Sequence, residues 1–144
     1  QPSQPLTAGI WEYDSNLAPV MNSVSSLSLE QSDIISFHHY GPEKDLATII
    51  NSLQRYQRPL ICTEWLARSE GSTVDNLQIF SDQKVGAINW GLVDGRTQTR
   101  FPWRSWWEEV DEEEPWFHEL LHLDGTPYSE HETSAFRRIT KLHL

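Results

Sequence analysis

One cysteine, Cys62, stands in 144 residues, so the chain has no internal disulfide framework. It lies inside an apolar run, where a thiol is expected to be buried and inert. No apolar stretch approaches the ~18 residues that a membrane span requires. Basic residues are scarce: 11 Lys and Arg against 21 Asp and Glu leave a net charge of -10. Nucleic acids and anionic membranes are held by basic patches, so neither is expected as a partner. A neutral or cationic ligand suits this charge. No Gly-rich phosphate loop follows any apolar segment, which argues against a nucleotide-binding doubly wound sheet. The opening, Gln1-Pro2-Ser3-Gln4-Pro5, reads as a loop and not as a signal peptide.

Tryptophan, by contrast, is abundant. Four of the seven (Trp103, Trp106, Trp107 and Trp116) fall in one stretch that is also rich in charge and proline. Aromatic side chains ordinarily supply core burial, yet a core segment avoids that much charge. Flat aromatic faces beside polar groups suit a sugar cleft, because sugars present apolar C–H faces with a rim of hydroxyls.

Apolar runs and helical periodicities alternate along the chain. Leu6 to Glu12 reads as a short strand after a Pro-rich entry, and residues 21 to 31 as a short Ser-rich helix. Asp33 to Tyr40 is an apolar strand ending in polar rings, stopped by Gly41-Pro42; Ser36, His38 and Tyr40 share one face by alternation. From Glu43 to Tyr56, Leu46, Ile49, Ile50, Leu53 and Tyr56 recur at helical spacing, with acidic residues in the first turn. Pro59 opens the run Leu60-Ile61-Cys62-Thr63-Glu64-Trp65, an apolar strand that places a carboxylate near its C-terminal end. Its Leu60, Cys62 and Glu64 are expected on one face. Residues 73 to 83 predict a helix and residues 85 to 92 another strand. Residues 95 to 128 make a long excursion carrying the Trp cluster and an acidic run at 108 to 114, expected to be a solvated face. A connection of that length is usually functional or disordered. The last helix starts after Ser129, which forms a capping box with Glu132.

Strand followed by helix, four times over, predicts an α/β fold with a parallel sheet covered by helices. A (β/α)8 barrel takes roughly 250 residues, so the 144-residue chain amounts to a single domain of about half a barrel. The C-terminal ends of barrel strands are where active sites are built, and Glu64 stands at such an end.

These residues carry a resemblance. The chain resembles the C-terminal half of a retaining (β/α)8 glycoside hydrolase, of the clan that includes cellulases and β-mannanases, over nearly its whole length. This implies a (β/α)4 half of a TIM barrel, strands five to eight. His38-His39-Tyr40 resembles the His-x-Tyr at the end of strand six. Glu64, in Pro-Leu-Ile-Cys-Thr-Glu-Trp, matches the catalytic nucleophile of strand seven. Trp90, in Ile-Asn-Trp-Gly, matches the strand-eight Trp that floors the subsite at the cleaved bond. The stretch from Asp94 to Trp103, Trp116-Phe117-His118, and Asp124-Gly125-Thr126-Pro127-Tyr128 are also similar to that group.

The resemblance implies double displacement on a β-linked glycan, without cofactor or metal. Two carboxyl groups about 5–5.5 Å apart share the work: one attacks the anomeric carbon, the other protonates the leaving oxygen. Glu64 is the implied attacker. Tyr40 orients it through a hydrogen bond, which a charged acceptor strengthens. His38 lines the same site, and His39, Trp90 and Trp103 are implied sugar contacts. In the clan the acid/base is a Glu that follows Asn at the end of strand four. No Asn-Glu pair occurs in the sequence, and the arginine usual on strand two has no counterpart. A missing general acid costs about 10²–10⁴-fold, so one copy of the chain is expected to be inactive by itself. A half-barrel also exposes two sheet edges and an apolar face. An N-terminal half-barrel or a second copy of the chain is expected to cover them.

Two other readings compete. One is a non-catalytic carbohydrate-binding or purely structural half-barrel. The other is a zinc protease: His118-Glu119-Leu120-Leu121-His122 is a His-Glu-x-x-His pattern, which binds zinc when a helix brings both histidines to one face.

Overall fold

The structure is a computed structural model and describes residues 2–141; Gln1 of the opening loop and residues 142–144 of the expected domain lie outside it. Three strands form one parallel sheet in the order β1 (Ile35–His38), β2 (Leu60–Glu64), β3 (Gly86–Ala87). Helix α1 (Ser23–Gln31) precedes β1, α2 (Glu43–Gln54) connects β1 to β2, α3 (Asn76–Asp82) connects β2 to β3, and α4 (Glu130–Thr140) closes the described chain. The predicted α/β alternation with parallel pairing is therefore present.

The sheet is smaller than the sequence predicts. Residues 6 to 12 do not form a regular strand. Their backbone pairs with the sheet at a single parallel bridge, Ile10 to Phe37, held by Ile10 N–H to the Ser36 carbonyl (3.0 Å) and His38 N–H to the Ile10 carbonyl (3.0 Å). The predicted strand at 85 to 92 is regular only at Gly86–Ala87. Both segments lie at the margins of the sheet, with a neighbouring strand on one side only, and a ladder with one partner frays early. The Ile88 and Trp90 N–H groups still reach back to the Cys62 and Trp65 carbonyls, at 2.8 and 3.1 Å, so the segment tracks β2. Gly91 then turns away at φ +84, and a Cβ there would stand 2.9 Å from the Cβ of His118. Only glycine permits that close crossing.

Helix α2 buries Leu46, Ile49, Ile50 and Leu53 against Ile35, Phe37, Leu60 and Cys62 of the sheet. Each such side chain contributes about 1.5–3 kcal/mol by leaving water, which makes this layer the main stabilising contact. Leu60 and Cys62 point into this layer, whereas Glu64 remains a quarter exposed. Helix α3 adds Leu77 and Phe80, and Trp65 packs edge-on against Phe80 at 5.2 Å between ring centroids. Helix α1 begins where Asn22 Oδ1 accepts from the Val24 and Ser25 N–H groups. Its far end is closed by Arg58, which donates to the Leu29, Glu30 and Ser32 carbonyls at 2.6–3.0 Å. Helix carbonyls that lack intrahelical partners are satisfied in this way. The expected helix at 73 to 83 is regular only from Asn76, after a turn at Thr73 to Asp75.

The excursion after β3 is irregular apart from a short 3-10 turn at Trp103–Trp106 and isolated bridges from Leu121 to Val93 and Pro127. Arg68, just past β2, clasps it. Its guanidinium donates to the Trp116 carbonyl (2.6 Å), the Glu119 carbonyl (2.9 Å) and both carboxylate oxygens of Glu132 in α4, and it lies over the Tyr128 ring at 4.7 Å. Ser129 caps α4 by accepting from the Glu132 N–H at 3.4 Å. The Glu132 carboxylate does not return the bond as a capping box requires, because Arg68 holds it.

Candidate active site

The site lies at the C-terminal ends of β1 and β2. Their register slips between Phe37 and His38, so that Phe37 pairs with Cys62 and His38 with Glu64. This irregularity brings the His38 ring to the Glu64 carboxylate: Nδ1 lies 3.3 Å from Oε2. Two residues on, the Tyr40 hydroxyl donates to the same Oε2 at 2.6 Å. The backbone bond from His39 N–H to the Glu64 carbonyl, 3.0 Å, ties the two strand ends together. Glu64 and His38 keep 25% and 23% of their side-chain surface exposed, so the carboxylate is fixed yet reachable.

An open cleft of about 300 Å³ adjoins this triad, lined by Trp11, Tyr13, His38, His39, Tyr40 and Trp103. Trp103 meets Tyr40 edge-on at 5.0 Å and Phe117 at 4.9 Å. His118 is buried beneath them, 5.5 Å from the Tyr40 ring, with Nδ1 2.6 Å from the Leu66 carbonyl. A carbonyl only accepts, so Nδ1 carries the proton. The excursion thus forms one wall of the cleft, and Tyr40 is packed between it and the strand ends.

Burial pushes the Tyr40 hydroxyl well above the usual phenol range, and the bond to Glu64 and its charge add to the shift. Tyr40 therefore stays a hydrogen-bond donor at any working pH. Burial lowers His39, partly offset by the Pro42 carbonyl. It lowers His118 too, with the Leu66 carbonyl opposing. Cys62 is buried and its thiol is pushed up to about 12, chiefly by burial. An inert thiol, as expected from its apolar run, follows.

The structure gathers Glu64, Tyr40, His38, His39 and Trp103. Trp90 is not part of the cleft lining; its backbone follows β2 and its side chain is 45% exposed. Two lining residues were not anticipated, Trp11 and Tyr13, and His118 packs beneath the cleft and not on a metal-binding helix face. Trp11 and Tyr13 follow the bridge at Ile10, and the Tyr13 hydroxyl donates to the His38 carbonyl at 3.1 Å. Aromatics placed two apart after an apolar segment were the available signal. The position of His118 depends on a contact with Leu66, 52 residues away, which leaves no local pattern.

Residues 118 to 122 are not helical, so the histidine pair of the zinc reading does not share a helix face. The His118 Nδ1 is taken by Leu66, and His122 packs on Trp116 at 4.6 Å. Among the described residues no three His, Cys, Asp or Glu side chains converge as metal ligands, and no helix is long and apolar enough to cross a membrane. The acidic run is solvated as expected, with Glu108 and Glu114 turned back onto Arg104. Compared with known proteins, the chain matches no family model and no curated protein.

Proposed function

We propose that the chain is the C-terminal half of a retaining β-glycoside hydrolase barrel, in which Glu64 is the nucleophile and the aromatic cleft holds a β-linked glycan. The observation that carries this is the pairing of Tyr40 and His38 on one oxygen of Glu64 beside an aromatic-lined opening. The Tyr40 hydroxyl fixes one carboxylate oxygen, beside which the His38 ring stands, and the other oxygen is left for attack. Flat rings around the opening supply apolar faces for sugar C–H surfaces, and the acidic chain favours a neutral ligand over an anionic one.

In this reading the Ile10 segment, β1, β2 and β3 would supply strands five to eight; their parallel order supports it. The closing half is either four N-terminal strands or a second copy of the chain. Exposed apolar side chains lie beside both sheet margins: Ile88, Trp90 and Leu92 near β3, and Leu6, Met21 and Val24 on the other side. A second copy related by a two-fold axis keeps all strands parallel when the barrel closes.

Among the described residues no second carboxyl lines the cleft to act as general acid. Glu119, buried in the excursion, is fully shielded from solvent. Aryl β-glycosides with activated phenolate leaving groups need no protonation at departure. Slow release of phenolate by the wild-type chain, abolished in Glu64→Gln, is the expected result. Release that survives Glu64→Gln overturns the assignment. The second reading, a carbohydrate-binding domain without turnover, is favoured by the missing acid. It predicts glycan binding with no phenolate release.

A further inference from the structure

We infer that the cleft takes an oligosaccharide and that Trp11 is the platform for a sugar unit beyond the one at Glu64. This rests on the glycan reading above. The Trp11 indole lies nearly parallel to the His38 imidazole, at 5.8 Å between centroids and 23° between planes. His38 in turn touches Glu64 at 3.3 Å. Trp11 therefore sits one side chain removed from the reacting carboxylate, lining the same cleft as Trp103.

Trp11 is held in place and its ring is open. Ile10, the residue before it, is buried and bonded to β1 through two backbone hydrogen bonds, and Tyr13 is tied to the His38 carbonyl. Trp11 is 62% exposed, although burying a ring of this size is ordinarily favourable. Trp11 also walls a second hollow of about 220 Å³, with Gly9, Ile10, Glu12, Asn22, Val24 and Ser25. The concave surface thus continues past the cleft with Trp11 between its two parts. Asn22 Oδ1 is taken up in capping α1, which leaves the Asn22 amide NH2 and the Ser25 hydroxyl in this hollow to meet sugar hydroxyls. A single sugar at Glu64 leaves Trp11 and this hollow unused; a chain of sugars covers them.

The test measures binding of glucose, mannose and their β-1,4-linked di-, tri- and tetrasaccharides by titration calorimetry, to wild type, Trp11→Ala and Trp11→Phe. In wild type the affinity of one series rises with length. Trp11→Ala loses about fivefold to tenfold on the tri- and tetrasaccharides, the size of one aromatic contact, and keeps its monosaccharide affinity. Trp11→Phe retains most of the gain. A Trp11→Ala chain that binds every length as wild type does overturns the inference while leaving the glycan reading standing, provided that His38→Ala weakens the same ligands. Failure of every saccharide to bind wild type overturns both.

Discussion

The Tyr40 hydroxyl donates to Glu64 Oε2 at 2.6 Å, across the junction of two parallel strand ends. Because burial keeps Tyr40 protonated, the bond persists as long as Glu64 is a carboxylate. A hydrogen bond to a charged group is worth about 1.5–3 kcal/mol. Tyr40→Phe keeps the packing on Trp103 and His118 but removes this bond. We expect the rate of attack by Glu64 on an activated glycoside to fall by about 10- to 100-fold, with a stability loss in urea no larger than the about 1.5–3 kcal/mol of the missing bond. A variant as fast as wild type contradicts the orienting role.

Arg68 is a structural clasp and not part of the chemistry. Its side chain and that of Glu132 are 9% and 13% exposed, so the pair is nearly buried. Removing one partner of such a pair leaves the other charge uncompensated, at about 3–5 kcal/mol. Arg68→Ala is expected to lose that much stability in urea unfolding and to loosen the excursion over the cleft. Arg68→Lys keeps the charge but not the planar fork, and falls between the two. A loss below about 1 kcal/mol, typical of a surface pair, contradicts the clasp.

Glu119 sets an alkaline-side cost. It is fully buried; Oε1 accepts from the Thr99 hydroxyl, and Oε2 has no partner. Burial, foremost, raises its pKa, with the Thr99 bond opposing. The native state therefore holds this proton more tightly than the unfolded chain does. The resulting stability is complete below the ordinary value of 4.5 and is lost as pH rises through the folded value. His39 and His118 work in the other direction. Their lowered values give stability that is present above the ordinary 6.5 and lost as pH falls through the folded values. Glu119→Gln keeps an acceptor for Thr99 and cannot ionise. Its urea midpoint should match wild type near about pH 4 and exceed it at about pH 7. The acid-side decline from the histidines should remain in both proteins. Equal midpoints at neutral pH contradict the assignment.

Open sheet margins predict self-association. Sedimentation equilibrium of the purified chain should give about twice the 16.7 kDa monomer mass. Replacing Ile88 and Leu92, both exposed beside β3, with lysine should return it to monomer. A wild-type chain that is monomeric at all concentrations contradicts closure by a second copy.

Much of this was legible in the residues because local patterns carried it. The four buried positions of α2 follow helical spacing, the run from Leu60 to Glu64 follows from an apolar segment opened by proline, and Ser129 marks the start of α4. His38, Tyr40 and Glu64 were marked as strand-end polar groups, and the strands bring them together. What escaped depends on distant partners. The Ile10 segment and β3 look like full strands by composition, yet each has a neighbour on one side only. Arg68 reads as an ordinary loop cation, and its partners lie 48 to 64 residues away. The His-Glu-x-x-His pattern fails for the complementary reason. Its local signal needs a helix, and long-range contacts of His118 and Glu119 hold the backbone in another shape.

The central claim is that Glu64 attacks the anomeric carbon of a bound sugar. Its most direct test is incubation with a 2-deoxy-2-fluoro-β-glycoside bearing a dinitrophenolate leaving group, in the gluco and manno series. The Glu64 carboxylate oxygen forms the ester bond to the anomeric carbon as dinitrophenolate departs with its electron pair, and fluorine slows the hydrolysis that follows. Mass spectrometry should find one fluorosugar per chain, on the peptide containing Glu64, and none in Glu64→Gln. A label on any other residue, or no label from a chain that demonstrably binds the parent glycan, would contradict the account.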